Sequence, residues 1–371
     1  MGYRDRLEAE GPKKLLALDG GGIRGVLTIE ILSKIEDLVR EKLGGDAVLA
    51  DYFDYVAGTS TGAVIAAGLC RGMSVAELRD LYHGHGKEMF DRAFITRLYK
   101  YKFDSSRLQG LLQKKFGGDT TFGGNELKTL LMMVLRNAST DSPWPLSNNP
   151  AAMFNDPDRA DCNLKLPLWQ LVRASTAAPT FFPPELIKVG KKEFVFVDGG
   201  VTMYNNPAFQ LFLMATLGAY ELRWPTGEDN MLLVSVGTGA APKADDTLRP
   251  GDMNLLFNMK SIPAALMSAA SNEQDLLCRV FGHCRHGAPI DREVGDLTGK
   301  NQGLLDSRLF TYVRYNAELT DDGLADLGVR SEISPESVQK MDAVNNITDL
   351  QLIGQRVAER DVKIEHFRGF L

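Results

Sequence analysis

The run Asp54-Tyr-Val-Ala-Gly-Thr-Ser-Thr-Gly-Ala-Val-Ile-Ala-Ala-Gly68 leaves little choice of local fold. A short apolar strand has to turn through Gly58-x-Ser60-x-Gly62 and enter a helix of small residues. That turn sets Ser60 on a tight elbow, with its hydroxyl exposed at the carboxyl end of the strand. The helix N-terminus that follows favours negative charge developing beside the hydroxyl. A chain with 36 glycines can spell such a motif by chance, so it is the strand before and the helix after that mark Ser60 as a nucleophile.

The start of the chain has the same alternation. Lys13-Lys-Leu-Leu-Ala-Leu-Asp19 is an apolar run bounded by charge and glycine, and reads as a buried strand. It runs into Gly20-Gly-Gly-Ile-Arg-Gly25, after which Val26, Ile29, Leu32, Ile35, Leu38 and Val39 recur at helical spacing as far as Gly44-Gly45. Strand, helix, strand, helix implies parallel strands joined by right-handed crossovers, with helices on both faces. Downstream, the spacing predicts a helix over Ser74–Phe90 opened by a capping box, a helix from Ser105 and a strand over Lys128–Arg136. A long irregular connection from Asn137 to Asn163 precedes a helix over Leu168–Ala178 and a strand over Glu193–Asp198. Pro207 suits the first turn of a helix to Leu217, Met231–Val236 is another strand, and the pattern beyond Pro250 is mostly helical to Phe367.

Four of these strands end in polar or glycine-rich loops: Asp19–Gly22, Gly58–Gly62, Asp198-Gly199-Gly200 and Gly237-Thr238-Gly239. In an open parallel sheet such loops gather at one edge. A serine hydroxyl needs a base, because the neutral form is a poor nucleophile. It also needs donors aimed at the oxyanion, where losing one costs about 3–4 kcal/mol. Gly20, Gly21 and Gly22 can turn consecutive N–H groups to one point, and Thr61 N–H follows the nucleophile. Gly20-x-Gly22-x-x-Gly25 also spells a dinucleotide fingerprint, but that reading requires an acid at the end of the second strand. Gly58-Thr59-Ser60 stands there, and Asp54 lies before or within the strand. For the base, chain order allows a triad of Ser60, Asp198 and His283 or His286. None of the five histidines stands at a recognisable strand end, and Asp198 acting directly on Ser60 fits better.

Taken together, Asp19-Gly-Gly-Gly-Ile-Arg-Gly25, Gly58-Thr-Ser-Thr-Gly62, Ala174-Ser-Thr-Ala-Ala-Pro-Thr-Phe-Phe182 and Asp198-Gly-Gly200 resemble the patatin-like phospholipase family over roughly residues 13–240. The resemblance implies a three-layer α/β/α fold with a mainly parallel sheet, and acyl hydrolysis of a phospholipid or lysolipid by a Ser–Asp dyad, without metal or cofactor. Ser60 would be the nucleophile, Asp198 the base and Gly20–Gly22 with Thr61 the oxyanion hole. Gly58, Gly62, Gly25, Gly199 and Gly200 would support the motifs, and Arg24 would steady the glycine loop or meet a phosphate. Residues 1–320 are expected to form the catalytic domain, and residues 321–371 a helical extension packed on it.

Composition narrows the partners. With 44% hydrophobic and 24% charged residues the chain is an ordinary globular one, and its net charge of −6 argues against nucleic acid. Cys70, Cys162, Cys278 and Cys284 are scattered and lack CxxC spacing, as in a reduced cytosolic protein. The apolar runs are too short to span a bilayer, so a cytoplasmic protein with peripheral membrane contact is expected. Aromatics and basic residues mix over Phe90–Phe103, which suits either a lipid surface or a partly buried helix. His83-x-His85 and Cys278…His283-Cys284…His286 lack zinc-site spacing. Alternatives for function are a soluble carboxylesterase or thioesterase, a phospholipase gated by a ligand or partner at the C-terminal region, and, remotely, a dinucleotide binder using Gly20–Gly25.

Overall fold

Mostly apolar runs become the central strands. In a computed structural model, which describes residues 2–90, 105–179, 182–242, 249, 255–291, 293–296 and 307–371, one sheet holds nine strands among the described residues. They are β1 (Lys13–Leu18), β2 (Tyr55–Thr59), β3 (Leu130–Asn137), β4 (Ser142–Ser147), β5 (Glu185–Val189), β6 (Lys192–Asp198), β7 (Met231–Val236), β8 (His283–His286) and β9 (Thr311–Tyr315). Their spatial order is β5-β6-β3-β2-β1-β7-β9-β8, with β4 paired to β3 off that path. From β3 to β8 all neighbours are parallel, and β4, β5 and β6 form the antiparallel part. Every residue of β2, β7 and β9 is buried, as strands covered on both faces must be.

The main helices are α1 (Gly25–Leu43), α2 (Thr61–Cys70), α3 (Val75–Phe90), α4 (Ser105–Phe116), α5 (Leu168–Ser175), α6 (Ala208–Thr216), α7 (Leu255–Phe281) and α8 (Ile347–Asp361). The α3 capping box is present: Glu77 accepts from Ser74 N–H at 2.8 Å, and Glu77 N–H donates to Ser74 Oγ at 3.3 Å. Helices α1, α3 and α8 pack together, while α6 packs on α7 and on β1 and β7. Glu30 ties the first group: it is buried, holds Arg79 of α3 by two bonds and accepts from Gln351 and Gln355 of α8. Gly354 lets α8 approach the α1 backbone at Leu27. Among the described residues no helix is long and apolar enough to cross a membrane, and all four cysteines are free.

Four strands depart from the sequence expectation, and one of them is β5, which forms over Glu185–Val189 where no strand is expected. The connection after Asn137 contains β4, whose Pro143 and Pro145 lack the N–H groups a central strand would need and so fit only its peripheral pairing. Residues beyond Pro250 supply β8 and β9, with β9 lying inside the sheet. Of the Phe90–Phe103 stretch, Phe90 is buried against Tyr82; residues 91–103 lie outside the described residues, as do Thr180 and Phe181.

Candidate active site

Ser60 has φ 54° and ψ −122°, a backbone state that residues other than glycine hold only where their surroundings impose it. Those surroundings begin with Ser60 N–H, which donates to Ser175 Oγ at 3.0 Å; Ser175 donates in turn to the Val134 carbonyl at 2.7 Å. At Gly62 a β-carbon would run into the carbonyl oxygens of Leu18 and Asp19, so a larger residue there forces α2 off β1.

Asp198 reaches Ser60 by a route the sequence did not suggest. β6 runs antiparallel to β3 and overlaps only its end, pairing Phe196 with Asn137 and Asp198 with Leu135. On the other side of β3, Val134 pairs with Thr59. Ser60 and Asp198 therefore flank β3 at one level. Convergence at the carboxyl ends of parallel strands holds for the loops after β1, β2 and β7, whereas Asp198 arrives from the opposite direction. The chain then crosses close over β3, where a β-carbon on Gly199 would strike the Val134 carbonyl. Asp198 N–H donates to the Ala177 carbonyl at 2.9 Å, so the Ala174–Ala178 segment holds both residues of the pair.

Ser60 Oγ donates to Asp198 Oδ2 at 2.6 Å, and Gly200 N–H donates to Oδ1 at 2.6 Å. Ser60 is 8% exposed and Asp198 5%. Burial lifts the Asp198 carboxyl from the ordinary 3.8 to about 6, against the downward pull of its bonds from Ser60 and Gly200. A carboxylate so placed can take a proton from the hydroxyl near neutral pH.

The glycine loop corrects one expectation. Gly20 N–H is engaged with the Asn205 carbonyl at 3.0 Å and its own carbonyl accepts from Thr238 Oγ at 2.8 Å, so Gly20 offers no donor to an oxyanion. Ile23 N–H donates to the Met341 carbonyl at 2.9 Å. The N–H groups of Gly21, Gly22 and Thr61 meet no acceptor among the described residues. Asn206 caps α6 through Ala208 N–H.

The loop rests on an ion pair that sequence reasoning missed. Arg314 of β9, 6% exposed, forks onto Asp19 with bonds of 2.8 and 2.5 Å and donates to Ser235 Oγ at 2.7 Å. Burial pushes the Asp19 carboxyl up and Arg314 draws it back; burial also opposes the guanidinium charge, and Asp19 outweighs that and holds Arg314 above its usual range. Arg24 is different: it is buried, its Nε has no partner, and burial lowers it to about 10.

The histidines lie elsewhere. His283 meets Glu228 at 2.7 Å and His286 stacks on His366, both on the edge strand β8, with β1, β7 and β9 between it and β2. His85 bonds Glu88 and His83 is exposed. Asp54 bonds Arg6 and Lys14 at the start of β2, away from the glycine loop, which leaves a dinucleotide ribose without its acid.

Comparison with known proteins points to one family. The family model described as "Patatin-like phospholipase" matches residues 16–212, just over half of the 371. A "cGAMP-activated phospholipase" of Escherichia coli is 31% identical over 61% of this chain and 62% of its own length. An "Intracellular phospholipase A2" of Caenorhabditis elegans is 35% identical over 67% of this chain and 22% of its own. Patatin-T5 of Solanum tuberosum is 29% identical over 63% of this chain and 62% of its own. In each case the match spans less than two thirds of the relative.

Proposed function

Because the chain belongs to the patatin-like phospholipase family, we propose that it is a lipid acyl hydrolase that cleaves fatty-acyl esters of phospholipids or lysolipids through Ser60 and Asp198. The observation that carries this reading is the 2.6 Å bond between Ser60 Oγ and a buried carboxylate, on an elbow held in a strained backbone state. Asp198 takes the Ser60 proton as Oγ attacks the acyl carbonyl carbon. The oxyanion forms against Gly21, Gly22 and Thr61 N–H. Collapse breaks the ester bond, the alcohol leaves with the proton from Asp198, and the acyl group stays on Ser60. Water then attacks that ester with Asp198 again accepting the proton, and as the bond to Oγ breaks Asp198 returns that proton to Ser60 and the fatty acid departs. Arg24, buried with an unpartnered Nε, is the group we assign to a lipid phosphate. We read residues 1–320 as the catalytic domain and residues 321–371 as an extension packed on it, and we place the enzyme in an aqueous compartment with peripheral access to membranes.

A fluorophosphonate probe is expected to label Ser60, as read by peptide mass spectrometry, and the protein to release fatty acid from phospholipid vesicles. Labelling at another residue would overturn the assignment. On a monomeric p-nitrophenyl ester, kcat/KM is expected to rise with pH through one limb near 6 and level off above it, because only the ionised Asp198 accepts a proton. A profile that is flat between about pH 5 and 8 removes Asp198 from that role. A soluble esterase or thioesterase would gain nothing from presenting its ester in vesicles.

One observation favours a gated form of the same activity. The Met341 carbonyl is seated on Ile23 N–H, beside Gly22 of the donor set, and one relative is named as cGAMP-activated. Full activity of the purified protein without any addition would remove this second reading.

A further inference from the structure

Helix α7 divides into two unlike halves. Its C-terminal half is anchored in the protein: Arg279 forks onto Asp275 at 2.9 and 2.8 Å, and Tyr312 donates to the same carboxylate at 3.0 Å. Upstream, residues 261–272 carry no charged side chain at all, reading Ser-Ile-Pro-Ala-Ala-Leu-Met-Ser-Ala-Ala-Ser-Asn. A helix turned to water ordinarily presents charge on its outer face. Here Ile262 is 50% exposed and Leu266, four residues on and so on the same face, 65%; Ala264, Ala265 and Ala269 are exposed beside them.

The neighbouring stripe of the same helix, Met267 and Ser271, meets the catalytic loop. A β-carbon on Gly200 would lie 3.7 Å from Met267 Cε, and Asn205 donates to Ser271 Oγ at 3.2 Å. The same loop exposes Val201 by 43% and Met203 by 49%. Exposed apolar side chains gathered on a helix and a loop that flank a site mark something that covers them in use. With a net charge of −6 any electrostatic attraction to anionic lipid needs a local basic patch, and residues 261–272 carry no charge, so affinity through this face comes from apolar insertion.

We propose that the exposed face of α7 around Ile262 and Leu266, with Val201 and Met203, seats the protein on a lipid–water interface and delivers the acyl chain across the Gly199–Asn206 loop to Ser60. The proposal rests on the lipid acyl hydrolase reading and names the surface by which that site meets its substrate. An apolar face sinks into the headgroup boundary and brings the Asp198 loop level with the ester bonds.

The test uses vesicles of phosphatidylcholine with phosphatidylglycerol. Binding is read by co-sedimentation in the Ser60→Ala background, so it does not depend on catalysis. Adding Ile262→Glu and Leu266→Glu is expected to weaken binding at least about tenfold, since both side chains leave the apolar phase. In the active protein the same pair is expected to lower the ratio of vesicle hydrolysis to monomeric-ester hydrolysis to a similar extent. Leu266→Trp is expected to bind as well as the parent and to shift its indole emission to the blue on adding vesicles. Unchanged binding by the double glutamate variant, or no blue shift in Leu266→Trp, overturns the proposal. So does a dimer in sedimentation velocity that the glutamates dissociate, which would assign the face to a second copy. If vesicles bind through this face but neither substrate is hydrolysed, the surface stands and the acyl hydrolase reading falls.

Discussion

Asp198→Asn is expected to fold and to lose about a thousandfold in kcat/KM. The amide can keep the Gly200 N–H bond on its oxygen, and its nitrogen then faces Ser60 Oγ as a donor. The hydroxyl proton has nowhere to go. Stability is expected to move the other way. A carboxyl raised from 3.8 to about 6 holds its proton in the folded state across a pH window in which the unfolded chain has already lost it. Stability conferred by this group is therefore present below that window, falls as pH rises through it, and above it the buried charge costs roughly 2–3 kcal/mol. Asp198→Asn should thus denature later than the parent at pH 8 and no later at pH 3.5, in urea titrations at both (approximate pH values chosen about either side of the window). Equal midpoints at both pH values, or retained activity, would contradict the role given to Asp198.

Arg314→Met is expected to cost about 3–5 kcal/mol of stability at neutral pH, because it leaves the Asp19 carboxylate buried without its cation. Methionine fills much of the same volume, so the loss reflects charge more than cavity. Removing both charges with Asp19→Asn/Arg314→Met should recover a large part of it, and the four proteins form a double-mutant cycle. A coupling energy near zero would show that the two bonds at 2.8 and 2.5 Å contribute nothing to holding the glycine loop. Activity separates positioning from bare stability. If Arg314 acts through the loop, kcat of the folded single variant falls while KM on a monomeric ester changes little.

How much of this was legible depends on distance along the chain. β2 and β7 are uncharged, apolar runs leading into glycine loops, β1 is the same after two opening lysines, and such runs announce buried parallel strands directly. The pair Ser60 and Asp198 stood out because each follows or ends a strand and carries glycines beside it. β9 did not stand out, because Thr311-Tyr-Val-Arg-Tyr315 is short and carries a charge within it rather than at its end. Only the partner, Asp19, nearly three hundred residues earlier, makes that arginine tolerable. Ser175 was similarly silent: a serine in a run of alanines and threonine reads as filler until the Ser60 amide is seen to rest on it. Gly20 shows the converse. Its sequence neighbours place it in the donor set, and a contact with Asn205 removes it.

The clamp on Asp19 and the Met341 carbonyl on Ile23 N–H also bear on when during synthesis the site is completed. Ser60 leaves the ribosome early, yet the strand carrying Arg314 and the segment carrying Met341 are synthesised long afterwards. A nascent chain halted before Arg314 has its nucleophile and Asp198 but lacks the cation that neutralises the root of the glycine loop. Such stalled chains are expected to resist fluorophosphonate labelling, and chains extended past Met341 to accept it; equal labelling of both would refute the idea. Reactivity at Ser60 would then be withheld by the order of synthesis itself while the chain is still being made.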